Sequence, residues 1–319
     1  MLCFIDEKND PYFNLAEEEY LLTNFNEGIF RLWRNSPSII VGRNQNTLAE
    51  INRSYVEKHD IPVVRRLSGG GAVFHDLGNV NFTFIQNYCN DGSSSTDSAQ
   101  MAKTSEMFRK FTEPIILALK NLGINAYLEG RNDLLIDGKK FSGNAICVQN
   151  GRILQHGTLL FSASITNLSD ALISHPEKFV GKKVSSNISR VTNISSHLSK
   201  EMTVEEFIIY LKDFIHEKLN LRIAELSKTD IDNINQLRKE KYHTYEWNYG
   251  KSPKYEYLTK FKLTGGSVEV NINVDNGLIS ACKIQGDFFT LHSVDEIEKA
   301  LIGLAHDDEK IKEVLKRFI

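Results

Sequence analysis

The chain has 319 residues, 41% of them hydrophobic and 25% charged, with only 6 prolines and 20 glycines. That composition excludes collagen-like, mucin-like and wholly disordered classes and leaves a globular protein of roughly two domains. Lys and Arg number 38 against 41 Asp and Glu, a net charge of −3, so no global positive field exists to hold nucleic acid or an acidic membrane.

The N-terminal residues reach Asp6 and Glu7 before an export signal can develop, and no run of about 18 apolar residues occurs anywhere. Cys3, Cys89, Cys147 and Cys282 lie far apart and form no C-x-x-C. The expectation is a reduced, cytoplasmic protein with neither a zinc knuckle nor a disulfide framework.

Residues 11–25 read as a first helix, because Phe13, Leu15, Ala16, Tyr20, Leu21 and Leu22 form a stripe among glutamates. The apolar runs 29–33 and 38–42, separated by Asn-Ser-Pro, read as a strand pair, and 54–59 as a brief helix. Residues 62–66, the glycines Gly69 to Gly71 and residues 72–75 read as strand, tight loop and strand, with another strand over 79–86. Residues 91–98 are a polar loop, and 99–122 a long helix interrupted or kinked near Pro114.

Residues 134–136, 140–148 and 153–161 are three strands joined by Asp137-Gly138 and Asn150-Gly151, the dipeptides that tight hairpins require. Helices follow over 203–219 and 229–241, each with a capping threonine, then a connector over 243–254. A second meander occupies 257–263, 267–274 and 278–284, with helices over 294–304 and 309–318. The expected division is a larger domain over 1–245 and a small α+β domain over 246–319.

Chemistry concentrates first in Arg65-Arg66-Leu67-Ser68-Gly69-Gly70-Gly71-Ala72-Val73-Phe74-His75-Asp76. Consecutive glycines let backbone N–H groups turn inward as an anion cradle, and two adjacent arginines suit a phosphate; the same residues also fit a plain hairpin turn with solvated arginines. A second cluster, Gly130-Arg131-Asn132-Asp133 and Gly138-Lys139-Lys140-Phe141-Ser142-Gly143, places Lys140 toward a cleft if Phe141 anchors in the core. His156, in Gln155-His156-Gly157-Thr158, has no second ligand at metal spacing and fits a hydrogen-bonded strand residue. Lys178, Lys182, Lys183 and Arg190 make a local positive patch, readable as a solvated loop or as a lid over phosphate. Gly250-Lys251-Ser252 is no P-loop, since Tyr245 stands at the leading glycine position, and no G-x-G-x-x-G follows a strand.

RRLSGGGAVFHDLGNVNFTF, GRNDLLIDGKKFSGNA and QHGTLLF, in this order, resemble the lipoate-protein ligases. The similarity runs from the NLAEEEYLL helix through SRVTNI, and the C-terminal part fits the family's accessory domain. The resemblance implies an α+β catalytic domain of the biotin/lipoate ligase, class II synthetase-like type, with a mixed, largely antiparallel sheet and covering helices. It implies two steps: lipoate and ATP give lipoyl-AMP and pyrophosphate with Mg²⁺ as cofactor, then a lysine takes the acyl group. That lysine belongs to an apo lipoyl domain of a 2-oxoacid dehydrogenase complex or to the glycine cleavage H protein. Arg66, Gly71, Ala72, Val73 and Phe74 resemble the ATP-binding loop. Lys140 resembles the catalytic lysine that contacts both lipoate and phosphate, and Asn79 and Asp133 match motif positions near the nucleotide. Leu67 stands where some relatives carry a third arginine, and Gln155 replaces the first histidine of their His-His-Gly-Thr.

Two other readings fit the residues. A lipoyl or octanoyl transferase on the same fold would use Cys147 as a thioester carrier or accept preformed lipoyl-AMP. A non-catalytic lipoate-binding module would keep the pocket without turnover.

Overall fold

The computed structural model describes residues 1–88, 97–130, 132–172, 191–250, 257–263, 266–275, 278–290, 293–306 and 308–318. Cys89, most of the 91–98 loop, Arg131, the 178–190 patch and residues 251–256 lie outside them.

The chain opens with β1 (Leu2–Ile5), α1 (Pro11–Asn24), β2 (Ile29–Trp33), β3 (Ser38–Val41), α2 (Thr47–Glu50) and α3 (Arg53–Lys58). It continues through β4 (Val63–Arg65), β5 (Val73–His75), β6 (Asn79–Asn87), α4 (Asp97–Asn121), β7 (Ala126–Glu129), β8 (Asp133–Ile136), β9 (Lys139–Gln149) and β10 (Arg152–Leu160). After α5 (Ile165–Ala171) come α6 (Val204–Leu219), β11 (Arg222–Ile223), α7 (Lys228–Leu237) and α8 (Tyr245–Tyr249). The C-terminal part holds β12 (Tyr257–Leu263), β13 (Gly266–Asp275), β14 (Leu278–Gly286), α9 (Val294–Leu301) and α10 (Asp308–Leu315).

A mixed sheet runs in the order β11-β1-β2-β6-β10-β9-β8-β7, parallel at β11/β1 and β1/β2 and antiparallel elsewhere. Its meander from β8 to β10 turns on Asp137-Gly138 and Asn150-Gly151, all four residues at positive φ as the sequence requires. A smaller sheet, β4-β3-β5, lies beside it. α4 and α6 cover one face of the large sheet, burying Phe108, Phe111, Ile115, Phe207, Leu211 and Ile215 against Phe30, Phe82, Phe84 and Phe141. Each such side chain removed from water contributes about 2–3 kcal/mol, so this cluster anchors the body of the molecule.

α1 begins at Pro11 because the Asp10 carboxylate accepts from the N–H groups of Tyr12 and Phe13. Its stripe joins the two sheets: Phe13, Leu15 and Ala16 pack with Trp33 of β2, Ile40 of β3 and Val64 of β4. Glu17 and Glu18 are buried with that stripe, although the sequence places them on a polar face. Arg31 of β2 donates to Asp6, to Glu17 and to Asn14, so the acidic residues face a buried cation.

Several expectations change. β2 and β3 are not a pair: the Asn35-Ser36-Pro37 link carries the chain from the large sheet to the small one, where β3 lies between β4 and β5. β1, β7 and β11 are strands of two to four residues with no alternation long enough to read. α4 runs unbroken through Pro114, its apolar face held on the sheet. Ser227 rather than Thr229 caps α7, in a capping box with Asp230. The stretch read as a connector from 243 contains α8, which packs with the large body: Asn248 is buried, and its side chain accepts from the Arg65 N–H.

β12, β13 and β14 form an antiparallel sheet covered by α9 and α10 around Ile279, Cys282 and Leu301. This small unit touches the body near the glycine loop. The Gly286 N–H donates to the Asn44 carbonyl (2.9 Å), Arg43 pairs with Asp295 (3.1 Å) and Phe289 meets Phe108 edge-on. Among the described residues, no helix is long and apolar enough to cross a membrane.

Candidate active site

A cavity of about 140 Å³ lies where the two sheets and α1 meet. Its walls are Arg66 and residues Gly70 to Val73 from the loop between β4 and β5, Lys140 to Ala145 in part from β9, and His156 to Thr158 from β10. Leu15, Trp33, Ile40, His75, Asn81 and Asn132 complete them.

Arg65 and Arg66 diverge because adjacent strand residues face opposite sides. Arg65 turns away from the cavity and donates to the carbonyls of Gly42, Arg43, Gln45, Trp247 and Asn248 and to the Thr47 hydroxyl. The sequence reading of two phosphate-facing arginines therefore fails for Arg65. Its guanidinium is a clamp for α8, and burial lowers it to about 10.

Arg66 forms part of the cavity wall but spends its donors on the chain itself: Nε on Ser68 Oγ (3.0 Å), Nη1 on the Ile40 carbonyl (3.1 Å), and Nη2 on the carbonyls of Gly69 (2.7 Å) and Gly71 (2.8 Å). A trans peptide sets its N–H opposite its C=O, so fixing these two carbonyls turns the N–H groups of Gly70 and Ala72 to the other side. Gly70 closes the bend at φ +89°, a conformation other residues rarely adopt. Burial lowers the Arg66 guanidinium to about 10, opposed by Glu18, and it stays charged at neutral pH.

Lys140 rises from β9 while Phe141 is fully buried in the main core, the alternation expected from sequence. Its Nζ pairs with Asp133 Oδ1 at 2.8 Å, both side chains half-exposed, and it lies over Gly143, whose N–H donates to Thr158 Oγ1 (3.2 Å). His156 lies two residues from Thr158 along β10, so about 7 Å of strand separates the ammonium's station from the imidazole row. Lys140 and the glycine bend thus stand on the walls of one cavity.

The other named residues fall differently. Val73, Ala72 and Gly71 are wall residues, but the Phe74 side chain is buried in the cluster with Ile39, Val41 and Val63, on the opposite side of β5 from Val73. That side chain packs there and does not reach the wall. Asn79 is fully buried and behind the wall; its amide donates to Asn81 Oδ1 (2.9 Å), and Asn81 is the wall residue. Among the described residues, Asn81 Nδ2 and Asn144 Oδ1 are buried and have no partner, a donor and an acceptor available to a ligand.

Sequence reasoning missed Glu18 and Ser68. His156 sits between them, Nδ1 on Glu18 Oε2 (2.9 Å) and Nε2 on Ser68 Oγ (2.6 Å). Burial alone would raise the Glu18 carboxyl; the His156 ring, Arg31 and Thr83 outweigh it and hold it below the usual range. The signal available was a pair of glutamates adjoining an apolar helical stripe. His75 is neutral, pushed down to about 3 by burial, Arg66 and His156, with Asn35 Nδ2 donating to its Nδ1 (3.1 Å).

Cys147 is not in this cavity. It lines a separate cleft with Arg43, Asn44, Ser293 and Asp295, and burial pushes its thiol up to about 11, so it is protonated at neutral pH. Among the described residues, no group of three or more His, Cys, Asp or Glu side chains could hold a metal.

A family model described as "Lipoyl protein ligase A/B catalytic domain" matches residues 10–216, and "Bacterial lipoate protein ligase C-terminus" matches residues 252–319. The chain belongs to the lipoate-protein ligase family. Among these ligases it is 44% identical to lipoate-protein ligase LplJ of Bacillus subtilis and 42% identical to lipoate-protein ligase 1 of Staphylococcus aureus, covering 99% of this chain and 94% of each relative. The ligase fold is shared with P. falciparum LipL1 in complex with lipoate, at TM-score 0.81 and 28% identity over 100% of this chain and 94% of that one. It is shared also with a lipoate-protein ligase A bound with ATP, at TM-score 0.64 and 26% identity over 78% of this chain and 98% of that one.

Proposed function

We propose that this family member ligates lipoate to protein in two ATP-dependent steps within the cavity between its sheets. The observation that carries this reading is the placement of the Lys140 ammonium and the Arg66-shaped glycine bend on the walls of one enclosure.

In the first step a lipoate carboxylate oxygen attacks the α-phosphorus of ATP, forming the mixed anhydride as the bond to pyrophosphate breaks. Two anions must meet, and their repulsion falls only when a cation stands between them. Lys140 fills that place, steered by Asp133 until substrate oxygens take over part of its hydrogen bonding. The N–H groups of Gly70 and Ala72, fixed through Arg66, need no reorganisation as charge builds on the phosphoryl oxygens; one such donor is worth roughly 3–4 kcal/mol. The acyl chain lies along Leu15, Trp33 and Ile40 toward His156. A distance of about 7 Å along the strand, plus side-chain reach, suits a chain of about eight carbons.

The residues fit Mg²⁺ arriving on the nucleotide rather than a resident ion, since Asp133 is a single carboxylate at the mouth and Mg²⁺ takes one or two carboxylates plus phosphates. When bound, it would shield the pyrophosphate charge.

In the second step the acceptor lysine amine attacks the activated carbonyl, AMP leaves, and the amine sheds a proton; positioning dominates because the anhydride is already reactive. The acceptor is an apo lipoyl domain of a 2-oxoacid dehydrogenase complex or a glycine cleavage H protein. A T. acidophilum relative with its E2 lipoyl domain, TM-score 0.64 at 29% identity over 80% of this chain and 98% of that one, supports that class. The accessory unit begins after Tyr249 in this reading, later than the sequence boundary at 245/246, because α8 packs on the body.

Incubating the protein with ATP, Mg²⁺, lipoate and an apo lipoyl domain, then weighing the domain by mass spectrometry, tests the reading. One added lipoyl group and stoichiometric pyrophosphate are expected; lipoate binding without pyrophosphate release refutes turnover.

A further inference from the structure

A buried chain of hydrogen bonds connects the acyl wall of the cavity to the glycine bend. At one end the Trp33 Nε1–H donates to Thr83 Oγ1 (2.9 Å), whose hydroxyl donates to Glu18 Oε1 (2.5 Å). At the other, the Arg66 Nη2 group holds the carbonyls of Gly69 and Gly71 while Nε donates to Ser68 Oγ. Ser68 Oγ, which keeps a second lone pair after accepting from Arg66, lies 2.6 Å from His156 Nε2 and pairs with it as donor or as acceptor. On the other side of the ring the ionised Glu18 carboxylate can only accept, so His156 Nδ1 carries a proton and donates to it.

Both arms thus converge on Glu18, the only member that can accept alone when ionised. Glu18, Ser68, Thr83 and Arg66 are all buried, so no bulk water competes for these bonds. Trp33 and His156 are cavity wall at the acyl side; Arg66, Gly70 and Gly71 are wall at the phosphate side. The serine, histidine and glutamate have the order of a hydrolase triad, but Ser68 is 1% exposed, is not among the wall residues, and already receives Arg66. It is placed to relay orientation, not to attack.

We propose that Glu18 and Ser68 are positioning residues that couple the two halves of the cavity, so that an acyl chain seated against Trp33 and His156 stiffens the glycine bend and lipoate and ATP bind cooperatively. The proposal rests on the ligase reading above and adds to it a reciprocal linkage between the substrates. An acyl chain packed on His156 removes ring motion that would otherwise reach Arg66 through Ser68, and the bend then meets the phosphates with its amides already set.

The test uses the full-length protein and a non-cleavable α,β-methylene analogue of ATP, titrated with and without saturating lipoate. Wild type should bind the analogue about tenfold more tightly with lipoate present. In Ser68→Ala the ratio should fall to about one while lipoate affinity on its own changes little, because the substitution cuts the chain without touching the acyl wall. In Glu18→Gln the ratio should fall as well, and ¹⁵N NMR of the wild-type ring should show a proton on Nδ1. A wild-type ratio of one, a wild-type Nε2–H tautomer, or a Ser68→Ala ratio equal to wild type overturns the proposal, and the first two need no variant to fold. Failure of the ligase reading is separate: it appears as absence of lipoyl-AMP from the wild type with cleavable ATP.

Discussion

Asp133 holds the Lys140 ammonium at 2.8 Å at the mouth of the cavity, with both side chains half-exposed. A pair this open to solvent adds under about 1 kcal/mol to folding, so its removal is a probe of chemistry. Lys140→Ala should lower lipoyl-AMP formation by about 10²–10³-fold. The circular dichroism spectrum and melting curve should match wild type. Asp133→Asn should cost less, because the ammonium remains. Pyrophosphate exchange measures both, and normal adenylate production in Lys140→Ala would remove that residue from the mechanism.

Arg66→Lys keeps the charge and discards the fork. A lysine cannot bridge the Gly69 and Gly71 carbonyls while also reaching Ser68, and a polar group left unpaired costs about 1–3 kcal/mol when buried, the lower end applying to these two partly buried carbonyls. A stability loss of about 1–3 kcal/mol is expected in urea denaturation, together with a higher KM for ATP. An unchanged KM would mean that the bend forms without its guanidinium.

His75 makes the molecule acid-sensitive. Its folded-state value is near 3, so below about pH 6.5 the unfolded chain binds a proton that the folded chain refuses, and stability falls as pH drops through that window. By pH 5 the loss from this group is about 2 kcal/mol. His75→Asn, whose amide oxygen can accept from Asn35, should flatten the profile between pH 7 and 5. A profile as steep as wild type assigns the acid sensitivity elsewhere.

Cys147→Ser should retain ATP-dependent ligation at close to the wild-type rate, and the wild-type thiol should react slowly with iodoacetamide at pH 7. Both follow from its place in a different cleft and from a thiol held near 11. Loss of ligation in the serine variant would revive a thioester route.

Local chemistry was legible and long-range partnership was not. The β8 to β10 meander could be read because Asp137-Gly138 and Asn150-Gly151 need positive φ, a constraint written in two residues each. Lys140 and Phe141 could be placed on opposite faces because a strand alternates. By contrast, nothing near Ser38 says that β3 leaves β2 for a second sheet, since that choice is made by Val63 and Val73 across the fold. Glu18 reads as a surface glutamate until His156, some 138 residues later, is brought against it. Arg65 and Arg66 look equivalent in sequence, and it takes the carbonyls of Gly42, Arg43 and Gln45 and of a helix beginning at Tyr245 to assign the first to architecture.

The small C-terminal unit lays its Phe288-Phe289 turn directly on Gly69 and Gly70. A methyl group at Gly69 would collide with the Phe288 carbonyl oxygen, and one at Gly70 would come within 3.3 Å of the Phe289 ring. The absence of side chains there is enforced from outside the cavity as well as from within. A truncated protein lacking the small unit should therefore tolerate alanine at position 69 that the full chain rejects, making the two units a mutually constrained pair in any attempt to redesign either one.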